Sequence, residues 1–469
     1  MRGLAIPLIA LHTLQLTNLL MTGNFVVATT LENLSTAPVV GNTVYYAFGV
    51  GFGYLLLWIP TLFLPSCSKK VLPISLILLC CLLLIKSLPT HRLAMTAKEA
   101  WDTIMFVANH KKEINEKFLR KDFQASTRNP YDLYCKDCNV IIIFAEGTSK
   151  RVISEELTPN TLRFASESIQ FANYFNHQAA TFRGIRGSLC SSFSLKGGFY
   201  QTNDGLGQME EKDIYKQYKG LLESLPSILN EHGYHTHFLS PHDRNDRLAA
   251  LMSTIGFQTT SIAQVSPFET DRETYERLFN QAVDLRKKNK PFLLTTYIVG
   301  THHGLDSPDI KFGDGSNPYL NKFHNQDFWF GKFLEKFNSS DLAKNTLLIF
   351  TTDHATYPTP EYQKVFHTSC SVFHDQIPLY FYKKGIEPDT VDAHFRTSLA
   401  LTPTVLDLLR ITEVKNHFLA NSLFSEPTQW ERYAAQGMPT FHVDDDGVVR
   451  ENHSPEFTEM LKDFYQISG

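Results

Sequence analysis

The 469-residue sequence lacks a strong charge of either sign: its formal net charge is −4, with 20% charged residues. No basic stripe with interleaved aromatics stands out, which removes the electrostatic footprint of a nucleic-acid-binding protein. It contains no internal repeat and no low-complexity tract, so neither a solenoid nor a fibrous chain is indicated. Cysteine is sparse, at seven residues, and the single CxxC pair, Cys135 and Cys138, has no second pair to complete a zinc ribbon. Cys67, Cys80 and Cys81 lie in the apolar N-terminal part, and Cys190 and Cys370 are isolated. What remains is enough chain for one large domain or two ordinary ones, with ample material for a buried core.

The apolar residues are unevenly distributed. The first 90 residues are largely apolar, and the remainder reads as a soluble globular protein. Val44–Leu64 and Val71–Leu88 are each long enough, and free enough of charge before Lys86, to span a bilayer. Leu4–Leu31 is a weaker third candidate, interrupted by His12, Gln15 and Asn18; it also reads as a signal peptide starting at Arg2. The loop Ser66–Lys70 carries Lys69 and Lys70, whereas residues 32–43 carry no lysine or arginine. The positive-inside rule puts that loop in the cytoplasm and everything after residue 90 on the extracytoplasmic side. In that compartment a local disulfide is the favoured reading of Cys135 and Cys138.

Residues 91–138 read as a juxtamembrane helix and linker. Trp101, Ile104, Met105 and Ala108 share one face, followed by Lys111, Lys112, Lys117, Arg120 and Lys121. Such a helix either lies in the headgroup layer or serves as a solvated linker. From residue 139 the pattern turns α/β. Val140–Phe144, Phe292–Val299, Leu347–Phe350 and Ile377–Tyr382 read as strands, the first being a continuous run of the kind covered on both faces. Asp213–Leu229, Asp271–Lys288 and Asn325–Phe337 read as helices between them. The alternation predicts a mostly parallel central sheet flanked by helices. An α/β domain is expected over 139–425, with a polar, peripheral tail over 426–469.

Three of the apolar runs end in groups that bind or react. The first leads into Glu146, the second into His302 and His303, and the third into Asp353 and His354. Ligands of open α/β sheets sit beyond the carboxyl ends of the strands, so these residues are expected to converge on one sheet edge. Taken singly, each is a common cap or turn residue. Taken together, they suit a hard divalent cation and an activated hydroxyl.

Asn139-Val140-Ile141-Ile142-Ile143-Phe144-Ala145-Glu146-Gly147 resembles the opening strand of the alkaline phosphatase/sulfatase superfamily. More narrowly, it is similar to the membrane-anchored branch of lipoteichoic acid synthases, phosphoglycerol transferases and phosphoethanolamine transferases. The resemblance continues through Thr158-Pro159-Asn160, Phe171-Ala172-Asn173-Tyr174-Phe175 and Thr181-Phe182-Arg183-Gly184, with Leu189-Cys190 just beyond. It resumes at Gly300-Thr301-His302, Thr352-Asp353-His354, Ile377-Pro378-Leu379 and Thr402-Pro403-Thr404-Val405-Leu406-Asp407-Leu408-Leu409.

The resemblance implies that Glu146, Thr181, Asp353 and His354 hold a zinc or manganese ion. It also implies that Thr181 is the nucleophile that becomes a phospho-threonine. His302 would stabilise phosphate oxygens or protonate a leaving group, with Arg183, His367, His242 and Arg247 as substrate-binding candidates. His303 and His374 also read as turn or core histidines. The implied reaction moves phosphoglycerol or phosphoethanolamine from a phospholipid donor to an envelope glycan or lipid at the cytoplasmic membrane. The context of Thr181 leans toward phosphoglycerol. A phosphodiesterase or phosphatase, and a degenerate lipid-sensing protein, are the alternatives.

Three departures stand out. The Cys/Ser-x-Pro-x-Arg motif that sulfatases convert to formylglycine is absent, Cys190 being followed by Ser-Ser-Phe. The stretch from Leu239 to Arg247 matches the branch's His-x-Asp, aromatic and Arg pattern only loosely, and the typical transferases carry more spans than the two or three here.

Overall fold

The structure, a computed structural model, describes residues 114–120, 123, 138–179, 181–194, 211–244, 247–412, 414–435 and 440–466. The expected spans at 4–31, 44–64 and 71–88, and the apolar face at 101–108, lie outside the described residues. Among the described residues no helix is long and apolar enough to cross a membrane. The chain divides into two compact units. Of the described residues, 358–372 belong to the smaller and all the others to the larger.

In the larger unit the chain forms β1 (Asn139–Ala145), α1 (Pro159–Ser166), β2 (Ile169–Ala172), α2 (Thr181–Cys190), α3 (Glu211–Tyr218), α4 (Leu225–Glu231) and β3 (His235–Leu239). It continues through α5 (Leu248–Thr254), β4 (Thr259–Ser261), α6 (Asp271–Arg286), β5 (Phe292–Ile298), α7 (Pro318–Asn338) and β6 (Thr346–Thr352). The smaller unit contributes α8 (Pro360–Val365), where the Thr359 hydroxyl accepts from the Tyr362 amide at 3.1 Å. The larger unit then resumes with β7 (Leu379–Tyr382), β8 (Asp389–Asp392), α9 (Leu401–Leu408), β9 (Tyr433–Ala435), β10 (Thr440–Val443), β11 (Val449–Glu451) and α10 (Pro455–Phe464).

Eight strands form one sheet in the order β4-β3-β5-β1-β6-β7-β2-β8. β1 lies parallel to β5 on one side and to β6 on the other. Its residues are buried throughout, as a strand covered on both faces requires. The register pairs Ala145 with both Ile298 and Thr352, so the three strands end level. The next residues therefore leave the sheet at one edge, which is the edge that sets the site.

Alternation along the strand sends Ile141, Ile143 and Ala145 to a face covered by α1, α6 and α7. There they meet Phe164, Tyr275, Leu278, Phe330, Phe333 and Phe337. Burying large apolar side chains of this kind is worth roughly 1.5–3 kcal/mol each. The N-terminus of α1 is held by Asp327 of α7, whose carboxylate accepts from the Asn160 and Thr161 amides at 3.0 and 2.7 Å.

Several expectations change. Ile377–Tyr382 shortens to β7, which runs antiparallel to both β6 and β2. β2, β3, β4 and β8 were not anticipated; these strands carry His, Thr, Gln and Asp rather than long apolar runs. The helix expected over 213–229 is two helices. Gly220 at φ 70° and the capping box of Ser224 and Ser227 separate α3 from α4. α7 begins before Asn325, because the Asn317 side chain accepts from the amides of Tyr319 and Leu320 and Pro318 suits a first turn.

The segment expected as a peripheral tail is folded. β9, β10 and β11 make an antiparallel sheet, and α10 buries Phe457, Leu461 and Phe464. Glu431 is fully buried 3.0 Å from the buried Arg396, and the Asn115 amide donates to the Phe464 carbonyl at 2.9 Å. Cys138 is disulfide-bonded, with its partner outside the described residues. Among the described residues Cys190 and Cys370 are free.

Candidate active site

Glu146 follows β1, Asp353 and His354 follow β6, and Thr181 opens α2. The structure brings these four together. One ligand atom from each of Glu146, Asp353 and His354 lies within 4.8 Å of the others, and all three residues are buried. The Thr181 hydroxyl donates to Glu146 Oε2 at 3.0 Å. His354 Nε2 lies 3.2 Å from Glu146 Oε1 and 3.4 Å from Asp353 Oδ2.

Local bonding explains these positions. Asp353 Oδ1 accepts from the Gly147 amide at 2.9 Å and from the His354 amide at 2.8 Å, which ties the end of β6 to the end of β1. The Thr352 hydroxyl donates to the Ala145 carbonyl across the same seam. His354 Nδ1–H donates to the Ala355 carbonyl at 2.7 Å. That fixes the tautomer and leaves Nε2 to face the carboxylates. Gly184 lets α2 approach: a Cβ there would stand 2.0 Å from the Asp353 carbonyl oxygen. Only glycine permits that contact, and through it Thr181 reaches Glu146.

The charges in this cluster do not balance as ordinary ionised groups. Burial works to raise the Glu146 carboxyl, but the charge and hydrogen bond of His354, with His302 and Tyr297, hold it well below the usual carboxylate range. Burial, then the Glu146 charge, pushes Asp353 up to about 7. Burial opposes protonation of His354, yet Asp353 and Glu146 raise it to about 9. Protons thus stand where a divalent cation would put its charge. Asp353 Oδ2 is buried and accepts no hydrogen bond. An orphaned carboxylate oxygen, a second carboxylate, an oriented imidazole nitrogen and a hydroxyl form a donor set that fits such a cation.

The other expected residues fall in several places. His302 lies in the loop after β5, its Nδ1–H donating to the His303 carbonyl at 3.0 Å, close enough to feel the Glu146 charge. His242 stacks on Tyr297 with centroids 5.6 Å apart and planes 14° apart, so it stands one ring away from Glu146. Arg183 is buried in α2 and donates to the Ala179 carbonyl at 3.2 Å, which braces the turn into that helix. Arg247 precedes α5 in a left-handed conformation, φ 69°, and donates to the Arg244 carbonyl at 2.5 Å. His367 belongs to the smaller unit, just past α8, also left-handed at φ 48°. His374 is a core residue beside Asn176, at 3.2 Å, and Phe441. The Cys190 thiol is buried and pushed up to about 11 by that burial, which leaves no nucleophile there.

Sequence reading missed two residues of the site. Tyr297, within β5, donates its phenol proton to Glu146 Oε2. Burial, with the charges of Glu146 and Asp353, holds its phenol well above the usual range, so it stays a donor. Lys322 of α7 lines a small cavity with Glu146, His303 and His354.

The sulfatase family model matches residues 138–411, more than half of the chain. The chain belongs to the sulfatase family. No curated protein sequence matches this sulfatase-family chain. Among solved structures it is similar to a protein in the alkaline phosphatase superfamily from Vibrio parahaemolyticus. There the TM-score is 0.56 and identity 18%, over 79% of this chain and 93% of that one. It is also similar to the lipoteichoic acid synthase LtaP from Listeria monocytogenes, with a TM-score of 0.55 and 16% identity, over 75% of this chain and 95% of that one. At these identities the likeness is one of fold, and the α/β architecture is the alkaline phosphatase-like one.

Proposed function

We propose that this chain is a metal-dependent transferase. It would move phosphoglycerol or phosphoethanolamine from a phospholipid to an envelope glycan or lipid through a phospho-threonine on Thr181. The observation that carries this reading is the Thr181 hydroxyl at the start of α2, 3.0 Å from Glu146 Oε2 and beside the Asp353–His354 pair. A threonine at this place in a sulfatase-family site, and the absence of a motif for formylglycine, favour phosphoryl over sulfuryl chemistry.

Glu146, Asp353, His354 and the Thr181 hydroxyl would hold one zinc or manganese ion, ligands that suit either metal. Bound there, the ion supplies Lewis acidity and lowers the pKa of the hydroxyl it touches. Thr181 Oγ1 forms a bond to phosphorus as the bond from phosphorus to the diacylglycerol oxygen breaks. The hydroxyl proton already points at Glu146 Oε2. His302, once it has taken a second proton at Nε2 against the burial that favours its neutral form, would give the leaving oxygen that proton from the ring atom not engaged with His303. The acceptor hydroxyl then attacks the phospho-threonine and regenerates Thr181. The first turn of α2 offers the favourable dipole of a helix N-terminus for the negative charge that develops.

Two features favour a lipid donor: the apolar spans expected before residue 90 and the fold shared with the lipoteichoic acid synthase LtaP. The test is incubation of metal-loaded full-length protein with headgroup-labelled phospholipid and a crude envelope glycolipid fraction. Label is expected in the acceptor, and Thr181→Ala is expected to lower that transfer at least about a thousandfold. Headgroup released only to water would instead identify a phosphodiesterase.

A further inference from the structure

Residues 299–317, between β5 and α7, form no helix or strand, yet they carry His302. A proton donor on irregular chain is aimed only as well as the backbone beneath it is held. Side chains from two helices do the holding. Asn321 and Asn325 stand one turn apart on α7, and both are buried. The Asn321 side-chain oxygen accepts from the Phe312 amide at 2.9 Å, and its nitrogen donates to the Gly315 carbonyl at 3.0 Å. The Asn325 oxygen accepts from the Ile310 amide at 3.1 Å.

Asn325 Nδ2 donates to Asp271 Oδ2 at 2.7 Å, and Asp271 Oδ1 accepts from the Gly300 amide at 3.1 Å. Asp271, the first residue of α6, thus joins α7 to the backbone two residues before His302. A Cβ on Gly300 would stand 2.1 Å from Asp271 Oδ1, so the turn rests directly on the carboxyl. That turn is tight. The His302 amide donates to the Val299 carbonyl at 2.9 Å, and the Thr301 hydroxyl donates to the Glu146 carbonyl at 2.5 Å. A shift of Gly300 is therefore passed on to the His302 ring. Burying a carboxyl costs stability that an apolar side chain would not. What the carboxyl adds is two acceptor oxygens, one for the turn and one for α7.

We propose that Asp271 is a positioning residue: by holding the Gly300 amide it fixes the turn that aims His302 at the leaving oxygen. The inference rests on the phosphoryl-transfer reading above.

Leaving-group chemistry supplies the test. A diacylglycerol alkoxide needs a proton as it leaves, whereas a nitrophenolate departs without one. Single-turnover cleavage by metal-loaded full-length protein is compared between two kinds of donor. One is phosphatidylglycerol and phosphatidylethanolamine; the other is the 4-nitrophenyl esters of the same two headgroup phosphates. Asp271→Ala is expected to slow the phospholipids at least about tenfold and the nitrophenyl esters by less than about threefold. Asp271→Asn, with one acceptor oxygen in place of two, should recover part of the loss. In a His302→Ala background, Asp271→Ala should cost little more, because both act on one proton transfer. Equal slowing of both kinds of donor, or losses that simply multiply with that of His302→Ala, would overturn the proposal. If Asp271→Ala does not fold, Asn325→Ala, which frees the carboxyl from α7, must show the same contrast between donors. Failure of both to fold also overturns it, because the pair is then framework alone. If the unchanged protein cleaves the nitrophenyl esters and their methyl counterparts but no phospholipid, the lipid-donor reading falls. The contrast between those two esters then still decides the role of Asp271.

Discussion

Asp271 shows what a single buried carboxyl does to this domain. It opens α6, accepts from the Gly300 amide at 3.1 Å and from Asn325 Nδ2 at 2.7 Å, and is raised to about 7 by burial, with the charge of Asp309 adding to the shift. A folded-state pKa above the ordinary 3.8 means that the folded chain keeps a proton the unfolded chain has released. The stability this provides is complete below about pH 4 and is lost as pH rises through about 7. Unfolding of the metal-free protein by urea between pH 4 and 8 should therefore show a decline of roughly 2–4 kcal/mol from this group. Asp271→Asn should flatten that part of the curve; an identical slope in the variant would contradict the account. At the same scale, Glu146, Asp353 and His354 were legible because each follows an apolar run. Tyr297 was not, because inside β5 an aromatic reads as core. Nor was Lys322, whose direction depends on how α7 packs rather than on its neighbours in sequence.

Among the elements, the contact between α2 and the end of β6 decides whether Thr181 reaches its partners. The Gly184 Cα packs on the Asp353 carbonyl, and a methyl group there would stand 2.0 Å from that oxygen. Gly184→Ala is expected to push α2 outward, cost about 1–3 kcal/mol of stability, and lower activity far more than stability alone explains. Thermal melting and the transfer assay on the same preparation check this; an alanine variant with full activity would show that α2 can shift freely. The central strands β1, β5 and β6 were readable because strands buried on both faces must be continuous apolar runs. The shorter strands toward the sheet edges were not. β3 fills its pleat with His237, which bonds Thr259 and Ser261 at 2.8 and 3.0 Å, so its pattern looks like loop chemistry. The break between α3 and α4 was written in Gly220, Ser224 and Pro226, turn and cap signals that outweigh the apolar periodicity on either side.

For the whole molecule, the chain past residue 425 completes the domain. Its polar composition hid a thin layer whose few apolar groups, Phe457, Leu461 and Phe464, follow helical spacing and are all buried. Tyr433 stacks on Phe457 at 4.7 Å, and the Tyr465 hydroxyl donates to the Phe193 carbonyl. Residues near the two limits of the described region meet, since the Asn115 amide donates to the Phe464 carbonyl at 2.9 Å. The central claim is that Thr181 carries the transferred group, and peptide mass spectrometry tests it most directly. Metal-loaded protein quenched in acid after brief exposure to phospholipid should yield the Thr181 peptide heavier by one phosphoglycerol or phosphoethanolamine group. An unmodified Thr181 peptide, from protein that has demonstrably consumed the phospholipid, would contradict the account.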